Sequence, residues 1–148
     1  MHSHFLRLAV AGLLVLPAGA AASGVYWGGN GISSLGPTSI LLKVTNDRVA
    51  LKNVQIVLSC VDAEDGTRSG GAFDAKSPSR VRMDGQRYAF DFHSSSGGRR
   101  GRVRVNGVMR ASGTGYAHVR IRAIGRGQGG EVVDRCTGDV SIEIRGGN

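Results

Sequence analysis

From Thr38 to the C-terminus, apolar and polar residues alternate along the chain with a period of two. This period is typical of strands with one buried face, because successive side chains of a strand point to opposite sides of a sheet. The alternating runs are separated by turns that contain glycine, and 24 of the 148 residues are glycine, which disfavours a mostly helical fold. The sequence therefore predicts an all-β fold, a small antiparallel β-sandwich or partly open barrel of about seven or eight strands.

Each predicted strand carries its aliphatic and aromatic residues on one face. The stretch 49–58 is compatible with a helix in isolation, but its β-branched residues and its alternation favour a strand. The residues expected to face the core are Ile40, Leu42, Val44, Val54, Ile56, Leu58, Cys60, Tyr88, Phe90, Phe92, Val103, Val105, Ala117, Val119, Ile121, Cys136, Val140, Ile142 and Ile144.

Three short segments are predicted to turn the chain between strands: Asn46-Asp47, Asp65-Gly66 and Asp84-Gly85. Asp-Gly between alternating runs is a preferred two-residue hairpin turn, because both central residues need a positive φ. Around Asp84-Gly85, this turn would pair Val81 with Tyr88 and Met83 with Gln86.

The N-terminal region differs from the rest of the chain. Residues 1–22 combine a short basic start, a nine-residue apolar run and small-x-small cleavage sites, which is typical of a cleavable secretory signal. The alternative is a membrane anchor, but a spanning helix needs about 20 apolar residues. Residues 23–37 are expected to form a flexible Gly/Ser-rich leader, and 38–148 a single β domain. Trp27 is interpreted as a partly ordered aromatic of this leader; docking on the domain and contact with a ligand are the alternatives.

The chain contains two cysteines, Cys60 and Cys136. An even number in an exported chain predicts one disulfide, here across two sheets, since both residues share parity with core positions. Two free thiols or half of a metal site are the alternatives. After the signal only His93 and His118 remain as histidines, and neither lies at zinc-finger spacing from a cysteine, so we expect no metal and no cofactor.

The formal net charge of +8 is concentrated in one window, since no acidic residue occurs between Asp91 and Glu131. A turn near Ser112 would place Arg104 opposite Arg120 and Arg102 opposite Arg122. Like charges across a ladder are destabilising, so either acids on a neighbouring strand screen them or the face binds an anion. The alternative is a solvated face that protects sheet edges. The candidate anion-binding residues are Arg99, Arg100, Arg102, Arg104, Arg120 and Arg122.

These observations predict a secreted or envelope-associated, non-enzymatic protein that binds anionic envelope polymers or lipid headgroups through the basic hairpin 99–126. Nucleic acid is disfavoured, since it usually needs aromatic platforms and only Tyr116 lies on that face. Two alternatives are a protein-interaction module that uses a sheet edge or Trp27, and an enzyme of unknown type.

A catalytic site is not expected from the sequence. Asp91, His93 and the serines 94–96 contain the residue types of a hydrolase triad, but neither a nucleophile elbow nor a separate residue to orient the histidine is visible. Asp91 and His93, two residues apart on a predicted strand, are interpreted as a surface pair.

The C-terminal half resembles a loose group of small exported bacterial β-proteins without an assigned activity. The resemblance lies in Val105-x-Gly107, in Ala111-Ser112-Gly113 before a long strand, and in Cys136-Thr137-Gly138-x-Val140. The group often has an aromatic residue two positions after that valine, where this chain has Ile142. The resemblance implies export, β architecture and the disulfide, and it implies no chemistry.

Overall fold

The computed structural model describes residues 24–147, so the predicted signal 1–22 lies outside the described residues. All regular structure within 24–147 is β, as predicted from the alternation. The nine strands of this part of the chain are β1 Val25–Ser33, β2 Gly36–Thr45, β3 Arg48–Asp62, β4 Arg68–Ala75, β5 Val81–Arg82, β6 Arg87–Ser96, β7 Arg99–Met109, β8 Thr114–Arg126 and β9 Val132–Gly146. No helix that is long and apolar enough to cross a bilayer occurs among these residues.

The strands form one antiparallel sheet in the order β4-β3-β2-β1-β9-β8-β7-β6. Strand β3 is long enough to pair twice along one edge: its first half pairs with β2 and its end, Ser59–Asp62, pairs with β9. Strands β4 and β5 pair with the other edge of β3. The sheet also bends until its two end strands meet, where the Asp74 backbone N–H of β4 donates to Ser96 Oγ of β6.

The buried face of the sheet is the one that the alternation predicts. Stretch 49–58 is strand, as its β-branched residues indicated. All predicted core residues are buried except Phe92 and Val140, which are half-buried and pack against the core. The alternation therefore gave the inward face of every strand for which it was applied.

The leader prediction for 23–37 is wrong, because residues 25–33 form β1 and pair with β2 along their whole length. Glycine allows this strand to lie directly on β9. A Cβ on Gly29 would collide with the backbone carbonyl of Glu143. Trp27 is half-buried against the core, and its ring lies over Gly146. Of the two alternatives given for Trp27, docking on the domain agrees with the structure.

Two of the three predicted turns follow the expectation in outline. Asn46-Asp47 is a two-residue connection between paired Thr45 and Arg48, and Asn46 has a φ of 55°. Asp65-Gly66 lies in the hairpin between β3 and β4, in a loop of residues 63–67 in which the glycine has a φ of 72°. The β3–β4 connection is therefore a hairpin with a longer loop than the predicted two residues.

The prediction for Asp84-Gly85 is wrong in register. Asp84 and Arg87 exchange two backbone hydrogen bonds of 2.9 Å, so the central residues of the turn are Gly85 and Gln86. Glycine supplies the positive φ there, at 58°. The predicted Val81–Tyr88 pairing is absent from residues 24–147, because β5 pairs with β3 instead of β6.

The predicted disulfide between Cys60 and Cys136 is present, and both cysteines are buried. Its predicted place across two sheets is wrong. The two cysteines are directly opposite partners on the paired strands β3 and β9. The disulfide therefore fastens the short contact through which β9 joins β3.

Candidate anion-binding face

Strands β7 and β8 carry five of the six predicted arginines on their outward face. The register pairs Arg104 with Arg120 and Arg102 with Arg122, as the sequence predicted. The sequence left open whether acids on a neighbouring strand screen these arginine pairs, and such acids are present on both flanking strands. Asp91 lies opposite Arg104 on β6, and Asp139 lies opposite Arg120 on β9. We call Asp91, Arg104, Arg120 and Asp139 the central row; its two positive charges are matched by two carboxylates.

The carboxylate of Asp91 binds two arginines. Arg102 donates to it in a bidentate arrangement, with Nε–Oδ1 at 2.7 Å and Nη2–Oδ2 at 2.6 Å, and Arg104 Nε donates to Oδ2 at 3.2 Å. The hydrogen bonds from Arg102 hold the pKa of Asp91 at about 2, since they favour the charged carboxylate. Asp91 is therefore ionised at neutral pH and is a fixed partner of these guanidinium groups.

Asp139 has the matching role on β9. Its Oδ2 accepts from Arg120 Nε at 2.8 Å, and its Oδ1 lies 2.5 Å from His118 Nε2. Partial burial opposes ionisation, but the hydrogen bonds from Arg120 and His118 outweigh it, so the pKa of Asp139 lies below its usual value. His118 thus faces a carboxylate as well as the neighbouring arginines.

The next two rows on one side of the central row contain no carboxylate. They cross six adjacent strands in the order β6, β7, β8, β9, β3 and β4. We call them the arginine rows; they are His93–Arg102–Arg122–Thr137–Ser59–Gly70 and Ser95–Arg100–Ile124–Arg135–Val61–Arg68.

Most of the arginines in these rows keep their hydrogen-bonding capacity for solvent or a ligand. Arg102 is held by Asp91 of the central row. The side chains of Arg68, Arg100, Arg122 and Arg135 are exposed, and within residues 24–147 they make no hydrogen bond or ion pair. An anion can therefore bind these four guanidinium groups without breaking an existing ion pair.

Arg99, one of the candidate residues, lies apart from this face. Its guanidinium group is half-buried and donates to Asp134, with Nη2–Oδ2 at 2.6 Å. This contact lowers the pKa of Asp134. The structure therefore brings together Arg100, Arg102, Arg104, Arg120 and Arg122, and it gives Arg99 a structural partner at the other side of the strand.

A cleft of about 470 Å³ opens next to Arg122, at the fork where β9 separates from β3. Arg122 lines it together with Thr137, Val57, the β1–β2 turn Ser33–Leu35 and the ion pair of Arg120 with Asp139. The cleft thus combines a guanidinium group without a partner, hydroxyl groups and aliphatic side chains in one concave surface.

The residue types of a hydrolase triad, which the sequence did not favour as a catalytic site, make other contacts in the structure. Asp91 binds Arg102 and Arg104, so the predicted surface pair of Asp91 and His93 is wrong. His93 is exposed and lies opposite Arg102. Ser96 accepts a hydrogen bond from the backbone of Asp74.

Two residues of the arginine rows were missed by the sequence reasoning, Arg68 and Arg135. Both lie outside the acid-free window. The parity of Arg135 was available, because its neighbour Cys136 was expected to face the core. Arg68 becomes part of the face only through the β3–β4 register.

Comparisons of the chain with models of protein families, with curated proteins and with solved structures gave no match. The similarity to exported bacterial β-proteins therefore stays a prediction.

Proposed function

We propose that the protein is exported and binds an anionic component of the cell envelope, without catalysis, through the arginine rows. The observation that carries the proposal is the set of four unpaired guanidinium groups in two adjacent rows without a carboxylate. The buried disulfide supports export, because disulfides persist in oxidising compartments.

The spacing of these arginines favours a ligand with repeated anionic groups. Neighbouring strands lie about 4.8 Å apart, so the rows extend about 19 Å from Arg100 on β7 to Arg68 on β4 along the bent sheet. Guanidinium groups match the geometry of phosphate and carboxylate. A linear polymer of such groups, or a surface of phosphate headgroups, meets several arginines at once.

The solvated-face interpretation predicts a different charge pattern. A surface that serves only solubility usually carries acids and bases interspersed over the whole face. The central row has that pattern, with two acids for two arginines. The arginine rows do not, which is why the proposal uses Arg100, Arg122, Arg135 and Arg68 rather than the paired Arg104 and Arg120.

The test measures the affinity for inorganic polyphosphate over a series of NaCl concentrations. Four released counterions give a slope of log Kd against log salt of about 3. Arg122→Gln with Arg135→Gln should weaken binding about tenfold, since each exposed ion pair contributes up to about 1 kcal/mol.

Two double variants with the same loss of charge serve as controls. Arg48→Gln with Arg80→Gln removes exposed arginines outside these rows, and Arg104→Gln with Arg120→Gln removes arginines that already have acidic partners. Both should change the affinity several-fold less than the variant in the arginine rows. Equal losses in all three double variants would mean that net charge alone drives binding, and binding that is insensitive to salt would refute the proposal outright.

A further inference from the structure

The β1–β2 hairpin exposes aliphatic side chains at its tip. Ile32 is 90% exposed and Leu35 is 46% exposed. The turn between them is held by its own hydrogen bonds, since Ser33 Oγ donates to the Gly36 carbonyl and accepts from the Leu35 backbone N–H. The hairpin thus presents two aliphatic side chains to solvent on a preformed turn.

The surroundings of this tip favour contact with negative charge. Between Gly24 and Asn46 the chain has no carboxylate, and its one charged side chain is Lys43, which lies over the Tyr26 ring. The turn Ser33–Leu35 also forms one wall of the cleft, and the other wall contains Arg122 and the ion pair of Arg120 with Asp139. An apolar tip without acids therefore adjoins an unpaired arginine.

We propose that this hairpin tip docks the protein on an anionic lipid bilayer, with Ile32 and Leu35 inserted at the boundary of headgroups and acyl chains. A lipid phosphate then occupies the cleft, where Arg122 and the hydroxyl group of Thr137 are its donors. This inference rests on the proposed function for its ionic part, and it names a lipid surface as the anionic component.

The chemistry of the tip distinguishes a bilayer from the other anionic partners. A soluble polymer of phosphate or carboxylate groups offers nothing apolar to Ile32 and Leu35. A protein partner needs about 800 Å² of surface from each side, far more than two aliphatic side chains supply. A bilayer interface offers both, since binding there gains from buried apolar area and from the attraction of basic residues to anionic lipids.

The test compares sedimentation with vesicles of pure phosphatidylcholine and with equimolar phosphatidylglycerol and phosphatidylcholine. We expect binding to the anionic vesicles and little to the neutral ones. Ile32→Ser with Leu35→Ser should weaken vesicle binding about tenfold and leave polyphosphate binding unchanged, because aliphatic insertion contributes only with lipid. Arg122→Gln should weaken both. Val133→Ser, which changes an exposed aliphatic residue on β9, is the matched control and should alter neither.

Each failure has a separate meaning. Vesicle binding that survives the tip substitutions overturns the docking of the hairpin and leaves the arginine rows in place. Binding to polyphosphate without binding to either vesicle also overturns it, and identifies a polymer as the ligand. If the wild-type protein binds neither polyphosphate nor anionic vesicles, the proposed function itself is refuted. The tip side chains are exposed, so unchanged Trp27 emission will show that the variants remain folded.

Discussion

Replacement of both Cys60 and Cys136 by alanine should destabilise the fold by about 4.5 kcal/mol. The disulfide joins residues separated by 76 positions, and the chain-entropy model gives this figure for a loop of that length. The structure adds a reason for a large effect, because β3 and β9 pair only between Ser59–Asp62 and residues 134–137. Without the covalent link, this short ladder alone keeps the end of β3 on β9. Domains are commonly stable by about 5–15 kcal/mol, so the variant should be close to the lower limit of folding.

Urea unfolding followed by fluorescence measures this effect without a label, since Trp27 is the only tryptophan and packs against the core. We expect the midpoint to fall by about 2–3 M, given the usual dependence of stability on urea for a domain of this size. The wild-type protein should lose a similar amount when it is unfolded and refolded in reductant, and the double alanine variant should be indifferent to reductant. A midpoint within about 0.5 M of the wild type would refute the reasoning, because the β3–β9 contact would then hold without the disulfide.

Two further predictions concern β1 and the central row. Gly29→Ala should cost about 2 kcal/mol, because the new Cβ collides with the carbonyl of Glu143; Gly70→Ala, where a Cβ makes an ordinary contact, should cost much less in the same urea assay. The carboxyl group of Asp91 should titrate near pH 2 in a carbon NMR experiment. Because its folded pKa is depressed, its stabilisation is present above the ordinary pKa and is lost as the pH falls through about 2. Arg102→Gln should raise that pKa towards its ordinary value, and an unchanged pKa would contradict the assigned cause.

The inward faces of the strands were predictable because alternation is a local property. A strand with Ile40, Leu42 and Val44 at every second position has one apolar face whatever its neighbours are. The strand β1 was not predictable by the same rule. Its glycines Gly29 and Gly31 occupy the positions where its backbone lies against Ile142 of β9, so beyond Trp27 its inward face has no apolar side chain to count. Glycine that permits close approach and glycine that permits flexibility look the same in a sequence.

The candidate site was predictable as far as one hairpin extends. Arg104 and Arg120 face each other because the length of the β7–β8 turn fixes the register between adjacent strands. Their acidic partners lie on β6 and β9, and the sequence alone does not state which strands flank the hairpin. Asp91 and Asp139 were therefore visible as acids but not as partners. The same limit applies to Arg135 and Arg68, which join the face through the β8–β9, β3–β9 and β3–β4 registers.

The charge of a β-sheet face is set by rows across strands, whereas a sequence window follows the chain along strands. The acid-free window between Asp91 and Glu131 contains Arg104 and Arg120, yet the central row that they form is neutral. Acids from both flanking strands complete it. The unbalanced charge lies one and two rows further along, next to the cleft and the β1–β2 tip. Because repulsion and ligand binding both act over a few ångströms through space, the rows rather than the window decide where an anion is held.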